Sequence, residues 1–356
     1  MTRFYPLPVR EIRSETADCI SLVLDVPEEW KNVFQFTQGQ YLTFRVHLGG
    51  EELRRSYSIC SSPLDAELRV AVKLVPGGVF STFAHTSLHE GDVLETLPPA
   101  GRFFTPLDPA HKKRYVAFAA GSGITPILSL IKTTLRTEPQ SEFTLVYGNR
   151  SRASVIFKEE IESLKNRYMG RLAIHHVLSR ELPDAPILGG RIDAGKCRAF
   201  FERLISVKGV DEWFICGPEE MMLEVRAELE AAGVERKHIH IELFAAASPR
   251  AGKAASESGK QPSGKVSQIS VRLDGVSFQM EVAQEGEALL DVALRHGADL
   301  PYACKGGVCC TCRARLIEGE VVMDVNYGLE PDEIAAGFIL TCQAHPRSEK
   351  VVVDFD

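Results

Sequence analysis

Four cysteines toward the C-terminal end of this 356-residue sequence, Cys304, Cys309, Cys312 and Cys342, stand in the spacing C-x4-C-x2-C-x29-C. Three thiolates on one tight loop and a fourth from a distant strand make the donor set of a binuclear 2Fe-2S cluster. Gly306 and Gly307 between the first two let backbone N–H groups approach the sulfurs with no Cβ in the way. A structural zinc site is the competing chemistry. Zinc held by four cysteines usually pairs two short C-x2-C knuckles, and only Cys309 and Cys312 form one here. Cys310 in place of Cys309 would leave one residue before Cys312, so it reads as a spare thiol, open to oxidation if the cluster is lost. The other four cysteines, Cys19, Cys60, Cys197 and Cys216, are scattered and for the most part read as small buried hydrophobes.

A second group of residues suits phosphates and planar rings. In the segment Gly121-Ser122-Gly123-Ile124-Thr125-Pro126, which follows an apolar strand and opens a helix, the glycines allow a pyrophosphate to approach the helix N-terminus. A tight strand-to-helix turn would select the same residues. Cys216-Gly217-Pro218 ends another apolar strand. In an open α/β sheet ligands sit beyond the carboxyl ends of the strands, so Gly121, Gly123, Cys216 and Gly217 are expected on one crevice. Upstream, Arg55-Ser56-Tyr57-Ser58 and Gly77-Gly78-Val79-Phe80-Ser81 could hold a phosphate and stack on a ring. An ordinary polar β-edge is the alternative. Chemistry favours a flavin, because a nicotinamide gives up two electrons at once, a 2Fe-2S cluster accepts one, and a flavin converts between them.

These residues need elements to hold them. Residues 1–107 show short alternating or β-branched runs (CISLVLDV, QYLTFRVHL, ELRVAVKLV) split by Gly and Pro, the texture of an antiparallel β-barrel. Over 112–244, apolar strands (YVAFAA, FTLVYGN, LAIHHVLS, EWFICG) alternate with helical stretches, predicting a parallel α/β sheet. Residues 245–265, rich in Ala, Ser, Gly and Lys, read as a flexible linker, and 266–356 carry the cysteine module. The fold class expected is therefore multidomain. The formal charge of −7 is uneven, since residues 266–356 hold 15 Asp and Glu against 7 Lys and Arg. That argues against nucleic acid as a partner and favours docking of the module on a basic protein surface, with electron transfer that weakens as salt rises. The absence of a bilayer-length apolar run and of a signal-like N-terminus predicts a cytoplasmic protein with no membrane partner.

On R-x-Y-S at 55–58, GSGITP at 121–126 and CGP at 216–218, the chain resembles the ferredoxin-NADP reductase family fused to a plant-type ferredoxin of β-grasp fold. The resemblance implies FAD held by Arg55, Tyr57 and Ser58, with Gly78 and Ser81 near its phosphates. It implies NADPH on Gly121, Gly123, Thr125, Pro126, Arg150, Gly217 and Pro218. It further places Cys216 by the nicotinamide, and Glu242 and Phe244 of the segment HIELF near the flavin ring. Ser179-Arg180 is similar to the Ser-Arg pair of NADP-using relatives, where an Arg accommodates the 2′-phosphate. Local wording such as EELRRSYSIC, ADLPYACKGGVCCTC and NYGLEPDEIAAGFILTCQA is similar to the reductases of multicomponent phenylacetyl-CoA epoxidase-type complexes of aerobic phenylacetate degradation. That implies an oxidoreductase passing electrons to the di-iron oxygenase subunits of such a complex. A different oxygenase or a hybrid-cluster protein as acceptor, and a non-catalytic 2Fe-2S redox sensor, are the alternatives.

Overall fold

The computed structural model describes residues 3–183, 185–244, 265–273 and 275–356; the linker expected at 245–265 lies, apart from Lys265, outside them. One compact unit spans Phe4–Phe244 and a second is built on the C-terminal segment.

The first unit begins with an all-antiparallel sheet. Its strands are β1 (Tyr5–Thr16), β2 (Cys19–Leu24), β3 (Tyr41–Leu48), β4 (Glu51–Ser58), β5 (Leu68–Lys73) and, after helix α1 (Val79–Thr86), β6 (Val93–Thr96). They lie in the order β4-β3-β6-β1-β2-β5. The outer strands meet where Ile59 bridges Val70, closing the sheet into a barrel. Gly49 and Gly50, both at positive φ, join β3 to β4 with Leu48 opposite Glu51, the geometry of a two-residue hairpin turn. Leu22, Leu42, Phe44, Val70 and Phe80 fill the interior.

The same unit continues as a five-stranded parallel sheet: β7 (Arg114–Ala120), α2 (Ile124–Thr137), β8 (Glu142–Asn149), α3 (Lys158–Arg167), β9 (Leu172–Leu178), α4 (Ala194–Arg203), β10 (Glu212–Gly217), α5 (Glu219–Ala231) and β11 (Ile239–Leu243). The order β11-β10-β7-β8-β9 runs outward from β7 in both directions. This topological switch sets the loops after β7 and β10 side by side. Helices cover both faces, so the central strands are apolar on both sides, as the unbroken burial of Tyr115–Ala119 illustrates.

The second unit holds β12 (Val266–Leu273), β13 (Val276–Ala283), α6 (Leu289–Arg295), β14 (Arg313–Glu318), β15 (Val321–Met323), α7 (Pro331–Ala335), β16 (Phe338–Leu340), β17 (Ala344–Pro346) and β18 (Lys350–Asp354). Its main sheet has the order β13-β12-β18-β14-β16, with β12 and β18 parallel, while β15 and β17 form a separate pair. Leu289, Leu290, Val292 and Ala293 of α6 are buried in the core that also contains Cys312 and Cys342. A mixed sheet packed on α6 is in keeping with the β-grasp fold that the resemblance implies for the cysteine module. No helix among the described residues is long and apolar enough to cross a membrane.

Candidate functional site

Backbone conformation builds the cysteine loop. Lys305, Gly307 and Cys310 all adopt positive φ (50°, 75° and 54°), which coils the chain and turns its N–H groups inward. The N–H groups of Gly306 and Cys309 donate to the Cys304 sulfur at 3.3 and 3.5 Å. Thr341 anchors the fourth cysteine: its N–H and hydroxyl both donate to the Cys312 carbonyl, at 3.2 and 3.0 Å, setting Cys342 beside the loop. Gln343 donates to the Lys305 carbonyl at 2.9 Å, and Lys305 itself is pinned by Asp291 at 2.9 Å and the Tyr302 ring at 4.7 Å.

The four sulfurs sort into two pairs. A hydrogen bond from Cys309, helped by the N–H groups of Gly306, Cys309 and Val308, holds the Cys304 thiol well below its ordinary pKa, and a hydrogen bond from Cys312 lowers that of Cys342. Two pairs of thiols, with backbone donors already aimed at sulfur, fit a cluster of two bridged irons that takes two thiolates on each. Cys310 points elsewhere. Its sulfur and the Val308 carbonyl lie so close to Gly328 that a Cβ there would sit 2.5 and 2.4 Å from them.

In the first unit the two glycine loops meet as the sheet order requires. A Cβ on Gly123 would lie 2.1 Å from the Cys216 carbonyl oxygen, so only glycine lets the loop after β7 pack on the end of β10. Gly121 adopts φ 53°, and its carbonyl accepts the Tyr147 hydroxyl at 3.0 Å. Thr125 caps the turn by donating to the Ser122 carbonyl at 3.0 Å, and Pro126 lies in the first turn of α2. Pro218 precedes α5. Cys216 pairs in register with Glu242 of β11. Desolvation pushes the Glu242 carboxyl up to about 8, and burial, then the Glu242 charge, raises the Cys216 thiol, so Cys216 stays protonated. Phe244, just past β11, is 36 % exposed.

Around the barrel motif, Tyr57 packs against Phe44 and Phe80, with ring centroids 6.1 and 5.2 Å away, and those two rings stack on each other at 5.9 Å. The Ser58 hydroxyl is buried with no hydrogen-bond partner among the described residues. Natural interiors rarely leave such a group unmet, and a polar cofactor against β4 would satisfy it. Arg55 is partly exposed, its guanidinium donating to the Arg54 carbonyl at 2.7 Å. Gly78 sits at the N-cap of α1. The Ser81 hydroxyl is spent within its own loop, accepting the Val75 N–H at 3.1 Å and donating to the Gly78 carbonyl at 3.2 Å. Ser81 thus shapes the glycine turn. These residues fit a flavin nucleotide: an unmet hydroxyl, an aromatic ring, an arginine and a glycine turn capping a helix.

Sequence reasoning missed Lys73. It ends β5 and lines a cavity of about 450 Å³ with Asp18, Val75, Gly77, His85 and Arg150. A Cβ on Gly121 would lie 3.8 Å from its ammonium nitrogen. The cavity lies beside the barrel's glycine turn and reaches the nucleotide loop through Lys73, whose charge is shared with Asp18 at 3.5 Å, while Arg150 adds a second cation. A lone lysine closing an otherwise buried strand just before Gly77-Gly78 was the available signal. Beyond β8 and β9 the chains stay paired: the Ser179 N–H donates to the Asn149 carbonyl at 3.0 Å and the Arg180 N–H to the Arg150 carbonyl at 2.8 Å. Arg150, Ser179 and Arg180 are thereby brought together. Glu181 is engaged, accepting the Arg152 N–H at 2.8 Å.

The chain matches three families: the oxidoreductase FAD-binding domain over residues 6–104, the oxidoreductase NAD-binding domain over 118–227, and the 2Fe-2S iron-sulfur cluster binding domain over 271–347. It is 44% identical over 356 residues to a subunit of the 1,2-phenylacetyl-CoA epoxidase of Escherichia coli (strain K12), covering 100% of this chain and 99% of that one. It is 35% identical over 355 residues to the ferredoxin reductase component of 3-ketosteroid-9-alpha-monooxygenase of Rhodococcus rhodochrous, covering 98% and 96%. Among solved structures it is similar to phthalate dioxygenase reductase, a modular structure for electron transfer from pyridine nucleotides to [2Fe-2S], with a TM-score of 0.62 and 25% identity over 99% of this chain and 98% of that one. The chain belongs to the oxidoreductases of ferredoxin-NADP reductase type that carry FAD-binding and NAD-binding domains and a C-terminal 2Fe-2S domain.

Proposed function

We propose that this chain is the reductase component of a cytoplasmic multicomponent oxygenase, drawing electrons from NADPH and delivering them to a di-iron oxygenase of the phenylacetyl-CoA epoxidase type. The observation that carries this reading is the full-length 44% identity to the epoxidase component, which spans the barrel, the nucleotide sheet and the cysteine module together. Bound FAD would accept a hydride's two electrons and release them singly, and the cluster would carry one at a time. The chain's own residues set the terms. Tyr57, packed on Phe80, offers a ring face for the flavin, Ser58 an unmet hydroxyl, Arg55 a cation, and the turn of Gly78 and Ser81 a helix N-terminus for phosphate. Gly121, Gly123, Thr125, Pro126, Gly217 and Pro218 shape the nucleotide rim. Buried Cys216 and half-buried Glu242, whose protonated forms desolvation favours, keep charge away from the nicotinamide side, and Phe244 shields the exposed edge. Cys304, Cys309, Cys312 and Cys342 hold the cluster.

Choice of NADPH over NADH is supported by Arg150 and Arg180 lying together beside Ser179, with the neighbouring Glu181 carboxylate accepting the Arg152 N–H. Residues 1–107, 112–244 and 266–356 serve as flavin, nucleotide and cluster domains, and 245–265 as the tether. The test is reconstitution: the purified chain, NADPH, the oxygenase subunits and phenylacetyl-CoA should give epoxide only when all are present. Full turnover with NADH alone would remove the nucleotide assignment, and turnover with a ketosteroid oxygenase but not the epoxidase would redirect the acceptor, as the 35% identity to that reductase allows.

A further inference from the structure

Helix α2, which opens on the nucleotide loop, carries Ser129, Lys132, Thr133 and Arg136 at i, i+3, i+4 and i+7, one helical face. In an amphipathic helix such a polar stripe belongs to solvent. Here all four side chains instead grip the segment leaving the flavin-motif strand β4. The Ser129 hydroxyl donates to the Ser61 carbonyl at 2.6 Å, and the Thr133 and Ser62 hydroxyls are 2.9 Å apart. Lys132 and Arg136 each reach Asp65 at 2.6 Å, and Arg136 also donates to the Leu64 carbonyl at 2.8 Å. Behind this row Glu160 of α3 binds both Lys132 and Arg69 of β5, each at 2.6 Å.

Lys132 and Arg69 are only 9 % and 4 % exposed. Burial by itself would raise the Glu160 carboxyl, yet Arg69 and Lys132 hold it below the usual range; Asp65 is likewise held down, against burial, by Lys132 and the Ser62 N–H. The network is charged at neutral pH. An apolar contact between two sheets tolerates small slips, whereas a buried charged network has one satisfied arrangement and a steep cost for losing a partner. At its two ends stand the residues that matter: Ser58 is three residues before Ser61, and Gly123 is six before Ser129.

We propose that this seam is a positioning device, in which Lys132, clamped between Asp65 and Glu160, fixes the flavin strand against the nucleotide helix and so sets the approach of nicotinamide to flavin. The inference rests on the reading that a hydride passes from dihydronicotinamide to oxidised flavin within this unit. Misplacement of about 1 Å at a reacting pair can cost roughly a hundredfold in rate, so a seam remote from the chemistry can govern it.

The test uses full-length, FAD-loaded protein mixed anaerobically with NADPH in a stopped-flow instrument, for the parent, Lys132→Met, Lys132→Arg and the double variant Ser129→Ala/Thr133→Val. Flavin reduction at saturating nucleotide should slow about tenfold or more in Lys132→Met and in the double variant. Flavin content and nucleotide Kd should stay near parental values, and the long-wavelength nicotinamide–flavin absorbance should weaken. Lys132→Arg should recover most of the rate. In flavin-free protein, amide exchange across residues 61–69 should quicken in the same variants. Parental reduction rates in folded variants, or a loss confined to flavin content or nucleotide affinity, would overturn the proposal. Should Lys132→Met not fold, the double variant decides it. A parent whose flavin neither NADPH nor NADH reduces would instead refute the functional reading, and this proposal with it.

Discussion

The cysteine loop of the second unit and the glycine rim of the first are assembled in opposite ways. Three of the four cysteines lie between Cys304 and Cys312, and the loop takes its shape from its own backbone, with three residues at positive φ and N–H groups aimed at sulfur. The rim draws on segments from Asp18 to Leu243 and has no shape until two sheets are docked, because Gly123 must meet Cys216, Lys73 must reach the Gly121 loop, and α2 must bind the chain after β4. A local site should fail all at once when one ligand is lost. A distributed site should fail by degrees.

The largest effect is expected at the local site. Cys304→Ser should drop bound iron to about a tenth of the parent or less, since losing one thiolate removes a charged ligand from a shared cluster. Flavin content and reduction by nucleotide should persist. Iron assay and visible spectra of the purified variant check both halves, and iron near the parental level would mean that Cys310 can substitute.

Gly123→Ala comes next. Its new Cβ would stand 2.1 Å from the Cys216 carbonyl oxygen, and backbone must move, at a cost of roughly 1–3 kcal/mol. Nucleotide affinity should fall correspondingly, measured by titration against an oxidised nucleotide, with iron content unchanged.

Glu242 offers a pH test. Its folded value of about 8 lies above the ordinary value of 4.5. The folded chain then binds more protons than the unfolded one between those values, so this residue's effect on stability grows more adverse as pH rises through them and is complete above about 8. Glu242→Gln should therefore gain in stability relative to the parent as pH is raised from 5 to 9, by an amount on the order of 1–2 kcal/mol given partial relaxation around a half-buried side chain, and its melting temperature should rise with it. Parallel curves would show an ordinary carboxylate.

A smaller effect is expected from Ser58→Ala. Removing a buried hydroxyl that lacks a partner among the described residues should leave the flavin-free protein as stable or slightly more so. FAD should bind more weakly by about 1 kcal/mol. Equal FAD affinity would separate Ser58 from the flavin site.

Legibility in the sequence followed the same division. The cysteine spacing, the glycine loops and the alternation of β2, β3 and β5 are local signals, and each stands in the fold where its pattern implied. Closure of the barrel through Ile59 and Val70 is a pairing between residues whose side chains say nothing about each other. The polar face of α2 was unreadable for a physical reason: Ser129, Lys132, Thr133 and Arg136 have the composition of a solvated face, and only the docked segment after β4 buries the first three and engages the exposed Arg136. Ser81, expected beside phosphate, spends its hydroxyl on its own turn. Lys73 was hidden because a single lysine at a strand end is commonplace until a glycine loop from another sheet is set against it.

On the proposed function, nucleotide, flavin and cluster lie on one electron path in this chain. Anaerobic addition of NADPH to the purified protein, followed across the flavin and cluster absorbance, tests it directly. Both should bleach in the parent, and in Cys304→Ser the flavin alone should. Flavin reduction in the parent that leaves an intact cluster oxidised, or zinc in place of iron in the purified chain, would contradict it.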